Sequence, residues 1–556
     1  PFGAFGDPLM DWYSFDMTNN PRVAKIVYLD KHHDEYDSYI VGCSSANGYS
    51  TELLNKYLGA RFYNLFAYGC DMYDIGATAR YAIEEYHPKN LVVNLGVTEA
   101  SEYNVDSDDG MNDLHYKVDG SSPLIFYKGF ALKNYKYIAA KLRDRRSDTW
   151  LPQKFDVFLP SSGEYDKRAR DVEHIGALPK YFEDNPDFQR TTLPPPKNSL
   201  LYTRECVETL REIKDLCDEN DVNVYFIFPP LLRSQLNGYS PDELADYMTA
   251  LASAVDFWDF SDTTISDDPR YFYDATHFRN AVGDMMLARI FNDDEVYRPD
   301  DFGEFVTADN VDEHVRRFYT SHSVIEHTAK LPVLLYHHIA DTGDPDTFTP
   351  VELFESHMKT LHDAGYTPVS FREVVDYVYR GTPLPEKPVC ITFDDGYLSN
   401  YTEAFPVLKR YGFKATIFAI GTTVGQSEHY KDTEFPITPH FNWDQAREMR
   451  DSGLINIESH TYDMHQHPEY DSPNPRESVL ALPGESEEDY LAAVTADYNL
   501  MRDALLQELG HPSEILAYPK GAFDTRSEAL FRSLGIKVTL GVQPGVNELV
   551  MGLPQC

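Results

Sequence analysis

Pro388-Val389-Cys390-Ile391-Thr392-Phe393-Asp394-Asp395-Gly396-Tyr397 decides how this chain is read. An apolar, β-branched run is the mark of a buried strand, and here it ends in two adjacent acids and a glycine. A strand ending this way sets its acids at the mouth of a sheet or barrel, where the turn frees them from the core. Neighbouring side chains on an extended chain point in opposite directions, so one carboxylate can hold a metal while the other handles a proton. Two solvated acids in a loop is the ordinary meaning of an Asp-Asp pair. What decides against it lies further along the chain.

There Ile455-Asn456-Ile457-Glu458-Ser459-His460-Thr461-Tyr462-Asp463-Met464-His465 again runs from a strand-like segment into polar residues, with two histidines five positions apart. A step of five turns a helix by about 140°, so the pair suits a strand-end loop better than a helix. One carboxylate and two neutral imidazoles are a common ligand set for zinc, the remaining positions going to water and substrate. His467, followed by Pro468, competes as a ligand but reads as a loop exit.

These residues resemble the polysaccharide deacetylase family, the carbohydrate esterases of the NodB homology type. Its Thr-Phe-Asp-Asp-Gly motif is matched at residues 392–396, and its His-Ser/Thr…His motif by His460, Thr461 and His465. That spacing, with Pro332-Val333-Leu334-Leu335-Tyr336-His337-His338-Ile339 and Asn442-Trp443-Asp444-Gln445, is most similar to the poly-N-acetylglucosamine deacetylase branch. The resemblance covers residues 331–556 and implies an irregular (β/α)7 barrel. It implies Asp394 as catalytic base, and Asp395, His460 and His465 as ligands of a divalent metal. Zinc is the default ion, with cobalt or nickel fitting the same set, and the implied substrate is an acetylated polysaccharide. The family's third motif corresponds to Ala517-Tyr518-Pro519-Lys520-Gly521. It implies the Tyr518 amide as an oxyanion donor, with Pro519 helping to keep the strand end open. Ala517 stands where many members carry the arginine that orients the base. No histidine follows His511, so the usual late catalytic acid has no counterpart. Either that motif lies beyond Cys556 or protonated Asp394 returns its own proton, with His337 and His338 as further candidates.

At 556 residues the chain is long enough for two domains, and 42% apolar with 13% aromatic residues is the composition of folded protein. A net charge of −41, from 90 acids and 49 bases, disfavours nucleic acid and anionic membrane as partners. The six cysteines (Cys43, Cys70, Cys206, Cys217, Cys390, Cys556) show no CxxC metal spacing, and no apolar run is long enough to cross a bilayer. The chain begins with Pro1. With the deacetylase resemblance, this leads us to expect a bacterial protein, extracellular or attached to the cell surface, whose N-terminal signal or anchor is absent from this sequence.

Strand-like runs at 36–41, 61–66, 90–95 and 222–228 alternate with helix-like runs at 52–58, 73–86, 204–219 and 281–291. This pattern predicts an α/β domain with a mostly parallel sheet over residues 1–300. An aromatic, acidic and proline-rich insertion at about 100–200 interrupts it, and is too long for an idle loop. Residues 301–330 read as a linker and 331–556 as the second domain, with strands beginning at Pro332, Pro388, Lys414, Leu454, Glu514 and Lys537.

In the first domain, Tyr39-Ile40-Val41-Gly42-Cys43-Ser44-Ser45 ends a strand at a serine pair, and Tyr273-Asp274-Ala275-Thr276-His277-Phe278 follows much later. The Asp-x-x-His spacing lets Asp274 orient His277, and with Ser44 this completes a possible triad. The order resembles the SGNH/GDSL hydrolase family, which implies a flavodoxin-like three-layer domain with Ser44 as nucleophile. Residues 64–69 resemble its second block, which implies that the Gly69 amide supports the oxyanion hole. Leu95-Gly96-Val97-Thr98-Glu99 stands where that family supplies an oxyanion asparagine, and has none. Related domains that work with membrane acyl-transfer proteins acetylate exopolysaccharides, so the resemblance admits an esterase, an O-acetyltransferase with a membrane acyltransferase partner, or a silent glycan-binding scaffold. His32-His33-Asp34-Glu35 reads as a solvated segment.

Overall fold

The computed structural model describes residues 20–101, 114–133, 157–159, 161–167, 181, 183, 188, 198–318, 328–342, 347–471 and 474–554. They form two compact units, one within 20–318 and the other within 328–554. Most of the insertion expected at about 100–200 lies outside the described residues.

The first unit is built on six strands: β1 (Ser38–Val41), β2 (Phe62–Asn64), β3 (Asn90–Asn94), β4 (Asn223–Phe228), β5 (Phe257–Asp259) and β6 (Glu304–Val306). Their order is β2-β1-β3-β4-β5-β6, parallel through β5 and antiparallel at β6. The parallel part has the 2-1-3-4-5 order of a flavodoxin-like sheet, in which sites form at the carboxyl ends of the strands. Every residue of β1, β2 and β3 is buried, as expected for strands covered on both faces. Helices Met72–Tyr86, Thr203–Glu219 and Pro241–Ala252 pack in sequence on one another, while Asn280–Phe291 packs on Thr51–Leu58 and on the turn Ser44–Gly48. The sixth strand corrects one expectation. Residues 301–330 are not simply a linker, because Glu304–Val306 pairs with β5 and Val311–Val315 is helical. A strand of three residues leaves too short a pattern to read.

The second unit carries β7 (Thr328–Tyr336), β8 (Pro388–Phe393), β9 (Ala415–Ala419), β10 (Ile455–Ser459), β11 (Ile515–Ala517), β12 (Val538–Leu540) and β13 (Val546–Val550). Strands β7 to β12 are parallel neighbours in chain order, the order of a β/α barrel. The barrel is irregular in a way that corrects the seven-unit expectation. After β12 the chain returns antiparallel beside β7 as β13, so residues 541–545 rather than a hydrogen-bonded ladder span the gap. Several of the helices between the strands start on side-chain caps. Asn442 and Gln445, singled out in the sequence, exchange a capping box at 3.0 and 2.8 Å, satisfying amides that the helix leaves open.

Five of the six cysteines are described, all of them free and buried, as small apolar side chains. Among the described residues no helix is long and apolar enough to cross a membrane.

Candidate functional site

Strand β8 delivers the acid pair. The Asp394 amide continues the ladder by donating to the Tyr336 carbonyl at 2.9 Å, and the chain then breaks at Asp395, whose φ of 70° is left-handed. Gly396 follows at φ 83°, and a Cβ there would meet Ala419 and Phe441 at 3.3 Å. The turn therefore disfavours a side chain, by its left-handed conformation first and by tight contacts second. It leaves Asp394 buried and Asp395 facing the end of β10.

There His460 Nε2 lies 3.6 Å and His465 Nε2 3.9 Å from Asp395 Oδ1. These separations are too long for hydrogen bonds but near the ~3.4 Å expected between two atoms ligating one zinc tetrahedrally at ~2.1 Å. The three ligand atoms lie within 4.8 Å of one another. His460 Nδ1 donates to the Ala517 carbonyl at 2.9 Å. This fixes the tautomer and leaves the Nε2 lone pair turned toward Asp395, the usual support of a metal-bound histidine. Burial, outweighing the Asp395 charge, brings His460 down to about 4, so it is a neutral donor at pH 7. Burial works to raise Asp395, but His460, His465, His337 and His440 outweigh it and hold it below its ordinary value. Burial and then the Asp395 charge push Asp394 well above the carboxylate range. The donor set fits a divalent ion, with one carboxylate ligand beside a carboxyl poised to carry a proton.

The third motif acts otherwise than expected. The Tyr518 amide, assigned to the oxyanion, donates to the Leu540 carbonyl at 2.9 Å in the β11–β12 pairing, and the Tyr518 hydroxyl donates to Glu528 at 2.6 Å. Pro519 is buried and opens the turn Pro519–Gly521. It is the Ala517 carbonyl, not a side chain, that reaches the site. Of the upstream histidines, His338 is tied down by a 2.7 Å hydrogen bond between its Nδ1 and Ser399 Oγ. His337 is near enough for its charge to act on both Asp395 and His460.

The first unit brings together Ser44, His277 and Asp274. Ser44 Oγ donates to His277 Nε2 at 2.8 Å, and His277 Nδ1 donates to Asp274 at 2.8 Å to either carboxylate oxygen. Burial acts to raise Asp274. Hydrogen bonds and attraction from His277, with further bonds from Thr276, overcome it and hold the carboxyl far below its ordinary value. Ser44 opens a tight 3₁₀ turn, Ser44–Gly48, after β1. Two asparagines brace that turn from behind. Asn94 Nδ2 donates to Ser45 Oγ at 2.8 Å and Asn64 Nδ2 to the Ala46 carbonyl at 2.8 Å. Asn94 also accepts from Tyr49 at 2.8 Å. It ends β3, one residue before the block in which an asparagine was sought. Glu99 is buried and folds its carboxylate over Gly96, where a Cβ would lie 2.4 Å from Oε2. Gly69 has a left-handed φ of 55°, and its carbonyl accepts from Arg22 Nη2 at 3.0 Å.

A family model described as polysaccharide deacetylase matches residues 381–539, the stretch holding Asp394, Asp395, His460, His465 and Tyr518. The Escherichia coli (strain K12) poly-beta-1,6-N-acetyl-D-glucosamine N-deacetylase is 32% identical over 140 residues, 23% of this chain and 20% of that protein. The solved structure of IcaB from Ammonifex degensii is 30% identical, with a TM-score of 0.34 over 40% of this chain and 87% of that one. YxkH of Bacillus subtilis (strain 168), provisionally named a polysaccharide deacetylase, is 33% identical over 228 residues, 41% of this chain and 70% of that protein. With that much of the Bacillus protein spanned at that identity, the chain belongs, through its C-terminal unit, to the polysaccharide deacetylase family.

Proposed function

We propose that the C-terminal unit removes N-acetyl groups from a poly-N-acetylglucosamine-like polysaccharide, with a divalent metal held by Asp395, His460 and His465. The observation that carries this is the convergence of one carboxylate and two imidazoles beside the buried Asp394. The names of the relatives direct the choice of glycan. When bound, the ion supplies polarisation of the acetyl carbonyl and acidification of a water. Asp394 takes the proton from that water as its oxygen attacks the carbonyl carbon. The carbon–nitrogen bond then breaks, acetate leaves, and the amine nitrogen receives a proton. That proton comes from Asp394, which passes on the one it took from the water, or from His337, whose charge acts on the same centre. Zinc is the expected ion. Acting on such a glycan, the protein would work outside the cell or on its surface, which is part of this proposal. Acetate release from β-1,6-linked N-acetylglucosamine oligomers tests this reading. It is expected to vanish on chelation and in Asp394→Asn, and metal-replete protein releasing no acetate would refute it.

A second reading concerns the first unit. We propose that Ser44, His277 and Asp274 form a serine acyl-ester site of the SGNH type, making the chain bifunctional. The hydrogen-bond chain from Ser44 through His277 to Asp274 supports it. The site would act as an esterase, or as an O-acetyltransferase where a membrane protein supplies the acyl group. A fluorophosphonate that labels wild type but not Ser44→Ala tests this, and absence of labelling would leave the unit a glycan-binding module.

A further inference from the structure

The ligand loop poses a backbone problem that its own residues do not solve. Its two histidines straddle an irregular turn, with Thr461 at φ 70°, and a turn of this kind takes amides out of the β10 ladder. Buried amides need partners. His460 N donates to the Ala419 carbonyl at 3.0 Å, and Thr461 N to Ser459 Oγ at 3.1 Å. Met464 N donates to Thr461 Oγ1 at 3.2 Å. The two amides between them, Tyr462 N and Asp463 N, find no partner in the loop. Both donate to one side chain 34 and 35 positions away: Tyr462 N to Asp497 Oδ2 at 2.9 Å and Asp463 N to Asp497 Oδ1 at 2.7 Å. Asp497 sits within the long helix Glu487–Leu509 and is 8% exposed. On the other side of the same turn, the carbonyls of Thr461 and Tyr462 accept from the Gly421 and Thr422 amides at 3.1 and 2.9 Å. The turn is thus clamped from both sides, and the histidines emerge at its two ends.

We propose that Asp497 is a positioning residue of the metal centre, its carboxylate spanning two consecutive amides to fix the separation and direction of His460 and His465. A carboxylate suits this place because it offers two acceptor oxygens and no donor. An amide would accept from one backbone N–H and turn its own NH2 against the other. The role rests on Asp395, His460 and His465 being a metal centre, and its failure is distinguishable from failure of that reading.

The test measures zinc affinity of the full chain by chelator competition in wild type, Asp497→Asn and Asp497→Ala. Removing a group that orients a metal ligand commonly weakens binding by 10–100-fold. Asp497→Ala is expected in that range, roughly 10–100-fold weaker than wild type, with Asp497→Asn between the two. As a control, Asp524→Ala removes the cap of helix Thr525–Ser533; it should lower the melting temperature and leave zinc affinity unchanged. Wild-type protein that binds no zinc would refute the metal centre itself. Wild-type binding with both Asp497 variants within about twofold of it would refute the role of Asp497 alone. Should neither variant fold, hydrogen exchange in metal-free wild type decides. Slow exchange in the peptide carrying Tyr462 and Asp463 is expected, and exchange at the rate of an open loop would overturn the proposal.

Discussion

Replacing Asp274 by asparagine is the sharpest perturbation of the serine site, because the structure says what should survive and what should not. Asp274 Oδ1 accepts from the Thr276 and His277 amides at 2.9 and 3.0 Å. The asparagine carbonyl oxygen can keep both, so the turn should hold its shape. What is lost is the negative charge and one of the two acceptors facing His277 Nδ1, Oδ2 at 2.8 Å. An asparagine NH2 in that place favours the tautomer with the proton on Nε2, and a protonated Nε2 cannot accept from Ser44 Oγ. The equivalent exchange in serine hydrolases costs about 10⁴ in rate, or roughly 5.4 kcal/mol of barrier at ~1.36 kcal/mol per tenfold. Asp274 is half exposed, so water can compete for the imidazole and restore part of that rate. The expected fall is therefore about 10³ to 10⁴. Stopped-time labelling with a fluorophosphonate reads it, with circular dichroism confirming the fold. A labelling rate within about tenfold of wild type in folded protein would refute the triad as a working unit.

In the C-terminal unit, Asp394→Asn should reduce acetate release by at least ~10²-fold, the usual worth of a positioned base, while zinc bound per chain, measured by atomic absorption, stays at the wild-type value. His337→Asn should lower kcat and alter the acidic or basic limb of the pH–rate profile, whereas His338→Asn, at a histidine already held by Ser399, should leave that profile in place. His314 in the first unit donates to Asp259 at 2.6 Å and Glu304 at 3.1 Å. Burial opposes its charge, but the two carboxylates outweigh it and raise it above its ordinary 6.5. A group raised on folding contributes stability that is fully present below its unfolded pKa and is lost as pH rises through the folded one. Melting of the first unit should therefore become easier as pH rises above about 6.5, and His314→Gln should flatten that dependence in scanning calorimetry.

Both strand ends that carry the candidate metal ligands were legible, because buried runs such as Pro388–Phe393 stop abruptly at charge. The five-residue histidine spacing was legible as a loop for the same reason it needs Thr461 in a left-handed conformation. The hydrogen-bonded grouping of Ser44, His277 and Asp274 was legible from a glycine-serine turn and a short Asp-x-x-His step. Features that depend on pairing between distant segments were not legible. Nothing local says that the Tyr518 amide is consumed by Leu540, or that Ala517 contributes its carbonyl where a side chain was sought. Asn94 was passed over because it ends a strand instead of lying in the expected block. Asp497 looks in sequence like one more acid on a charged helix; only the fold shows that it accepts from the Tyr462 and Asp463 amides. The three residues of β6 were read as linker, since a strand so short carries no period.

The central claim is that Asp395, His460 and His465 hold the ion on which deacetylation depends. It is tested most directly by stripping the protein with chelator and titrating zinc back while following acetate release from a β-1,6-linked N-acetylglucosamine oligomer. Activity lost on stripping and recovered at one zinc per chain in wild type, but not in His460→Ala, is the predicted result. Acetate release that survives complete removal of metal, or zinc recovery equally good in His460→Ala, would contradict it.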